Sequence, residues 1–222
     1  YNATFSAAGS WSAIGTVGTP RVPQVFGPSE PVVLTRGAGT FTVAYIEDAT
    51  NRATTIEFAG TLWQNPATVS TEITDYWKSP SLVAPSSGPT MLVVWTGSTG
   101  SQLRYSTFLG SAWAAAANIT NATSTEPTAL QALPGGEVLL AFRGLDGKLY
   151  ALSWLAGSWG LPGQVAGGVL LTGSPALAKG QEGALAELAY VGTDGAAYHL
   201  RLAANRTWTA PVQVGTSVDF VS

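Results

Sequence analysis

Residues 138–159 run Val-Leu-Leu-Ala-Phe-Arg-Gly-Leu-Asp-Gly-Lys-Leu-Tyr-Ala-Leu-Ser-Trp-Leu-Ala-Gly-Ser-Trp. The apolar run Val138 to Phe142 is too short for a stable helix and lies between glycines, so it reads as a buried strand. Asp146-Gly147 is a hairpin turn, because Gly tolerates the positive φ that such a turn needs. Leu149 to Trp154 then alternate with the period of a half-exposed strand. A small-residue turn leads on to Trp159, which opens a fourth segment.

The same paragraph of sequence recurs through the chain. Trp11, Trp63, Trp113, Trp159 and Trp208 are 52, 50, 46 and 49 residues apart. Pro31, Pro80, Pro127 and Pro175 precede the next tryptophan of that series by 32, 33, 32 and 33 residues. Two markers in phase define an internal repeat. Each copy begins with a short segment opened by proline, where a missing N–H costs least: Pro31 to Thr35, Pro80 to Ala84, Pro127 to Gln131 and Pro175 to Lys179. An apolar run follows in each, at Thr40 to Ile46, Met91 to Trp95, Val138 to Phe142 and Leu185 to Val191. Alternation returns at Tyr198 to Leu202, and the last segment of the fourth copy is Trp208 to Val214. Four short antiparallel strands at this period predict an all-β chain, a β-propeller of roughly 50-residue blades. The units are 31–79, 80–126, 127–174 and 175–222, preceded by a partial unit at 1–30. Four complete units plus half of another predict one domain. They leave a half blade to be completed by another segment, a second chain or another protomer. No segment carries the sustained three-and-four apolar spacing of helical repeats.

Composition narrows the function classes. Hydrophobic residues make up 45% of the 222 residues and charged ones 10%, unlike a disordered chain. The net charge is -3 and the ten basic residues are scattered singly, so no stripe tracks a phosphate backbone and nucleic acid is not an expected partner. No apolar run approaches the roughly 20 residues of a membrane span, and Tyr1 to Phe5 is not a signal peptide. Cysteine is absent and His199 is the only histidine, so neither disulfides nor a multi-histidine metal centre is available, and no cofactor is expected. Asn2, Asn118, Asn121 and Asn205 open Asn-X-Thr acceptor sequences, which fit a secreted or extracellular glycoprotein. Asn118 and Asn121 are too close for both to carry glycans easily.

The unit pattern is Ser-Pro-Ala-Leu, an apolar strand, Gly-X-Asp-Gly-X-X-Tyr and a Trp. It is clearest at Ser174-Pro175, Gly144 to Tyr150 and Gly192 to Tyr198. This pattern resembles the repeat of β-propeller lectins of the tectonin, tachylectin and fucose-binding kind. The resemblance implies carbohydrate binding without catalysis, at several similar sites on or between blades. In the fucose-binding members an Arg, a Glu and an aromatic recur in each site. Here the first complete blade offers Arg52, Glu57 and Trp63, and the second has Arg104 with no acidic neighbour in sequence.

A pyranose stacks an apolar face on an aromatic ring and offers hydroxyls to charged or amide groups. A residue outside the repeat is the better ligand candidate, since a core slot should be filled in every copy. Trp77, beside Tyr76 and just before Pro80, is such a residue, on a loop expected at a rim of the ring. Trp77, Tyr76, Arg52, Glu57, Trp95 and Arg104 form the candidate sugar-binding set. The periodic tryptophans are expected to pack between blades, as are Phe58, Phe108 and Trp154, each five residues before its marker. Tyr105, Tyr150, Arg104, Arg201 and His199 fall on the outer alternating strand, which predicts a solvated face.

Two other classes compete. A propeller glycoside hydrolase needs carboxylates converging on one point, one with a raised pKa. The thirteen acids are scattered, Asp146 and Asp194 are explained by turns, and no Gly-X-Ser-X-Gly elbow or sialidase box occurs. A structural or protein-interaction propeller should show Trp-Asp or double-glycine signatures in register, and Gly135-Gly136 and Gly167-Gly168 sit at different places in their units. The sequence therefore predicts a secreted, multivalent, non-enzymatic lectin for glycans or glycoproteins, gaining avidity from several sites.

Overall fold

A computed structural model describes residues 29–37, 39–59, 62–75, 77–165 and 167–215. Trp11, Asn2 and Tyr76 lie outside the described residues, as does most of the partial unit at 1–30.

Four antiparallel sheets follow one another, one per complete unit. The first holds β1 (Val32–Gly37), β2 (Thr40–Glu47) and β3 (Arg52–Ala59), with an outer strand in two pieces, β4 (Leu62–Trp63) and β5 (Ala67–Thr68). The second runs β6 (Ser81–Val83), β7 (Met91–Thr96), β8 (Gln102–Phe108), β9 (Ala117–Thr123). The third is β10 (Ala129–Ala132), β11 (Val138–Arg143), β12 (Leu149–Leu155), β13 (Ser158–Trp159) and β14 (Gly163–Gln164). The fourth is β15 (Ala176–Lys179), β16 (Ala186–Val191), β17 (Ala197–Leu202), β18 (Val212–Gly215). The first strands are the inner ones: β1 lies against β6, β6 against β10 and β10 against β15. This is the radial order of propeller blades.

The meander sorts the turns onto two rims. Turns between second and third strands share one rim with the connections between blades. The other rim carries the turns that follow the first and third strands.

Trp113, Trp159 and Trp208 each sit where a blade meets the one before it. Trp113 packs on the core shared by the first two blades, Trp159 on that of the second and third, and Trp208 on that of the third and fourth. Trp113 also donates its indole N–H to Thr55 Oγ1 of the preceding blade at 3.1 Å. Trp63 is packed with Phe41 and Phe58.

The predicted fourth segment differs in detail. Phe58 faces Trp63, but Thr55 faces Ala67, so the outer strand gains one residue between the two contacts. The slip recurs in the third blade, where Trp154 faces Trp159 and Ala151 faces Gly163. In the fourth, Trp208 makes only an isolated bridge to Leu202, and the outer strand begins at Val212 rather than at the tryptophan. Holding a large indole between blades while keeping the outer ladder paired requires this bulge.

A second aromatic layer lies inside. Tyr45, Trp95, Phe142 and Tyr190 occupy the same place on β2, β7, β11 and β16, and none is more than 5% exposed. Their cross-strand partners are Thr54, Arg104, Tyr150 and Tyr198.

Candidate ligand clefts between blades

The sequence-nominated residues do not converge. Trp95 is 1% exposed and belongs to the aromatic layer just described, so it is a core residue with no free face for a sugar. Arg52 and Glu57 sit at odd spacing on β3, which turns them to opposite faces some 16 Å apart. Glu57 pairs instead with Arg36 of β1. Arg104 has an acidic neighbour after all, Glu72, which reaches it from the connection leaving the first blade. Trp77 stands 68% exposed on that same connection, its backbone N–H bonded to Asp75 Oδ1 at 3.1 Å.

A cleft of about 520 Å³ lies between the second and third blades on the rim of the first–second and third–fourth strand turns. Tyr105 and Thr107 of β8 form one wall, Trp154 the other, and Ser87, Gly135 and Gly136 the inner end. Tyr105, expected on a solvated face, meets Trp159 edge-on at 5.9 Å. Gly135 and Gly136 have φ of 78° and 81°, and a Cβ on Gly136 would lie 2.0 Å from Ser87 Oγ, so this end must stay bare backbone. Leu109 and Leu155 are exposed at the mouth. Among the described residues no charged side chain lines the cleft. It offers aromatic faces and hydroxyls, which suit a neutral ligand with one apolar side.

On the opposite rim one pocket occurs twice. Between the second and third blades Asn121, Thr123, Phe142, Gly144, Asp146 and Tyr150 enclose about 430 Å³. Between the third and fourth, Val169, Tyr190, Gly192, Asp194, Tyr198 and Pro211 enclose about 420 Å³. Tyr150 stacks on Phe142 at 5.6 Å and donates its O–H to Asp146 Oδ2 at 3.0 Å. Tyr198 stacks on Tyr190 at 5.2 Å and bonds Asp194 Oδ2 at 2.6 Å. Each carboxylate also accepts a backbone N–H, from Lys148 at 3.1 Å and from Ala196 at 3.0 Å. The Tyr198 and Ala196 hydrogen bonds hold Asp194 below the usual carboxylate range, and the same bond raises the Tyr198 phenol. For Asp146, burial pushes upward but the bonds from Lys148 and Tyr150 outweigh it, and the net shift is downward. At the first junction Arg104 and Glu72 stand where these Tyr–Asp pairs stand later.

Glycine is obligatory beneath the tyrosine. A Cβ on Gly192 would lie 2.6 Å from Asp194 Oδ1 and 3.0 Å from Tyr198 Cε2. Gly192→Ala is expected to cost about 1–3 kcal/mol and to break the Tyr198–Asp194 bond. Spectrophotometric titration of the tyrosines should then show one phenol moving down toward its ordinary range.

A charged cluster escaped the sequence reading. Glu187 and Arg201 are direct cross-strand partners on the far face of the fourth blade. Glu187 Oε2 accepts from Arg201 Nε at 3.1 Å and lies 2.7 Å from His199 Nε2, and Arg201 also reaches Glu182 at 3.0 Å. Burial would raise the Glu187 carboxyl, but the Gln181 N–H, His199 and Arg201 lower it. Among the described residues, the carboxylates of Glu137, Asp146, Glu187 and Asp194 are all held below their ordinary range, opposite to the need of a general acid. Among the described residues no group of three metal-ligating side chains occurs.

No family model and no curated protein matches the sequence. Solved structures do match the fold. The Aleuria aurantia lectin bound to Fucα1-6GlcNAc superposes with a TM-score of 0.57 at 16% identity, over 96% of this chain and 70% of the lectin. The SapL1 lectin, bound to α-methyl fucoside, gives 0.60 at 14% identity over 82% of this chain. A Hadza microbial sialidase gives 0.56 at 15% identity over 86% of this chain and 47% of its own. The chain spans 64% of the SapL1 chain's length. In its architecture the chain is a β-propeller like those of the fucose-binding lectins.

Proposed function

We propose that this protein is a non-enzymatic, multivalent lectin, secreted from the cell that makes it, which binds neutral sugars of glycoconjugates between its blades. The observation that carries the reading is the cleft lined by the half-buried Tyr105 ring, the edge of the buried Trp154 and the Thr107 and Ser87 hydroxyls, with no charged side chain among the described residues. A pyranose places its apolar face on such rings and its hydroxyls on such partners. The likeness to sugar-binding propellers supports it. Among the described residues the cleft carries no Arg and no Glu, which favours a sugar that needs no ion-paired clamp. Trp77 is a second stacking candidate, and the exposed Asn118, Asn121 and Asn205 are glycan acceptors if the chain passes through a glycosylating compartment.

A glycan array on the purified chain, with native mass in the same buffer, tests the proposal. Binding to defined neutral glycans should fall at least about tenfold when the mouth is charged by Leu109→Glu with Leu155→Glu. These two residues are exposed, so the fold should hold. Loss on Trp77→Ala alone would move the site to the connecting loop, and a blank array would overturn the lectin reading.

A further inference from the structure

The paired pockets on the other rim differ at one instructive position. Beside the pocket between the second and third blades, Lys148 follows Asp146 by two residues and its ammonium lies 3.6 Å from Asp146 Oδ2. In the pocket between the third and fourth blades, the residue two after Asp194 is Ala196. Among the described residues no cation pairs with Asp194. Asp146 thus has the chain's own ammonium beside it, from a residue that does not line the pocket, and Asp194 has the same tyrosine partner without such an ammonium.

The polar groups of the second pocket set what can enter. Asp194 Oδ1 and Oδ2 each accept one hydrogen bond and keep further lone pairs. Tyr198 spends its only proton on Asp194, so its oxygen faces a ligand solely as an acceptor. The carboxylate and phenol offer acceptors and negative charge, while Leu170, Val169 and Pro211 supply apolar walls. An ammonium attached to a carbon skeleton is the complementary group, since charge-assisted bonds to a carboxylate are the strong ones.

The geometry points to an alkylammonium-binding site at Asp194 and Tyr198, between the third and fourth blades, whose sibling carboxylate, Asp146, is already paired with the chain's own Lys148. The site is separate from the Tyr105–Trp154 cleft, so it stands or falls independently of the neutral-sugar reading.

Calorimetric titration of the purified chain with glucosamine, n-butylamine and N-acetylglucosamine tests it. Both amines should bind once per chain, and neutral N-acetylglucosamine should not compete. Glucosamine alone binding assigns the site to amino sugars, and butylamine alone to lysine-like side chains. Asp194→Asn keeps the acceptor for the Ala196 N–H, so the turn should survive, but amine affinity should fall about tenfold or more. Lys148→Ala, at a half-buried position, should free the Asp146 carboxylate of its ammonium and raise the stoichiometry from one amine per chain to two. No amine binding by the unaltered chain, undiminished binding in Asp194→Asn, displacement of bound butylamine by N-acetylglucosamine, or a stoichiometry unmoved by Lys148→Ala would overturn the inference.

Discussion

Arg206→Ala should lower stability by about 3 kcal/mol, or roughly 6–12 °C in Tm for a chain of this length. Glu137 is 2% exposed at the start of β11, and Arg206, from the β17–β18 turn of the next blade, grips both its oxygens at 2.6 Å. Removing the arginine strands a buried carboxylate, which is the costly way to break such a pair. Arg206 is itself 59% exposed at the side chain, which keeps the loss near the lower end of the buried-pair range. The sign of the pH dependence follows. The Arg206 bonds depress the Glu137 carboxyl despite its burial, so the contribution is full above the ordinary Glu range and fades as pH falls through the depressed value. Without Arg206 burial dominates and favours the neutral acid. The stability gap between the two proteins should therefore narrow as pH drops, as thermal melts across pH would show; a constant gap would mean that the pair is not the cause.

Trp95→Ala should cost about 3–5 kcal/mol, the usual loss when a fully buried indole is cut to a methyl. Its ring lies with Ala44, Ile46, Val93 and Leu82 in the core joining the first two blades. Denaturant unfolding measures the loss. The same variant separates core from ligand residue: a core Trp95 destabilises the chain before any binding changes, whereas lost glycan binding in a fully stable variant would reinstate it as a sugar contact. Trp95→Phe, which matches Phe142 of the third blade, should recover much of the stability.

The strands were readable because each is announced locally, by alternation, by a proline at its start and by Asp-Gly at its turn. The role of the marker tryptophans was readable too, since one residue type at one period signals a repeated slot. The inner aromatic layer was harder to see because the slot is filled by Tyr45, Trp95, Phe142 and Tyr190, three residue types whose shared position emerges only from strand register. That is how Trp95 came to be expected at a ligand site. The site chemistry was least legible where partners come from different blades or strands. Nothing local links Glu72 to Arg104, Glu137 to Arg206 or Glu187 to Arg201. The recurring Gly-X-Asp-Gly-X-X-Tyr was visible as a turn, but its pocket also needs a wall from the preceding blade, which no local pattern announces.

The one-residue slip in the outer strands reaches beyond packing. A propeller presents the flank of every blade to solvent, and a long straight flank of free N–H and C=O groups is a template on which a second chain can add a strand. In the first and third blades that flank is cut into two-residue pieces, and in the second it is kinked at Asn121, whose φ is +58°. In the first and third blades the bulge beside the marker tryptophan thereby shortens the edge on which a second chain could pair, in a chain with 45% hydrophobic residues and few charges.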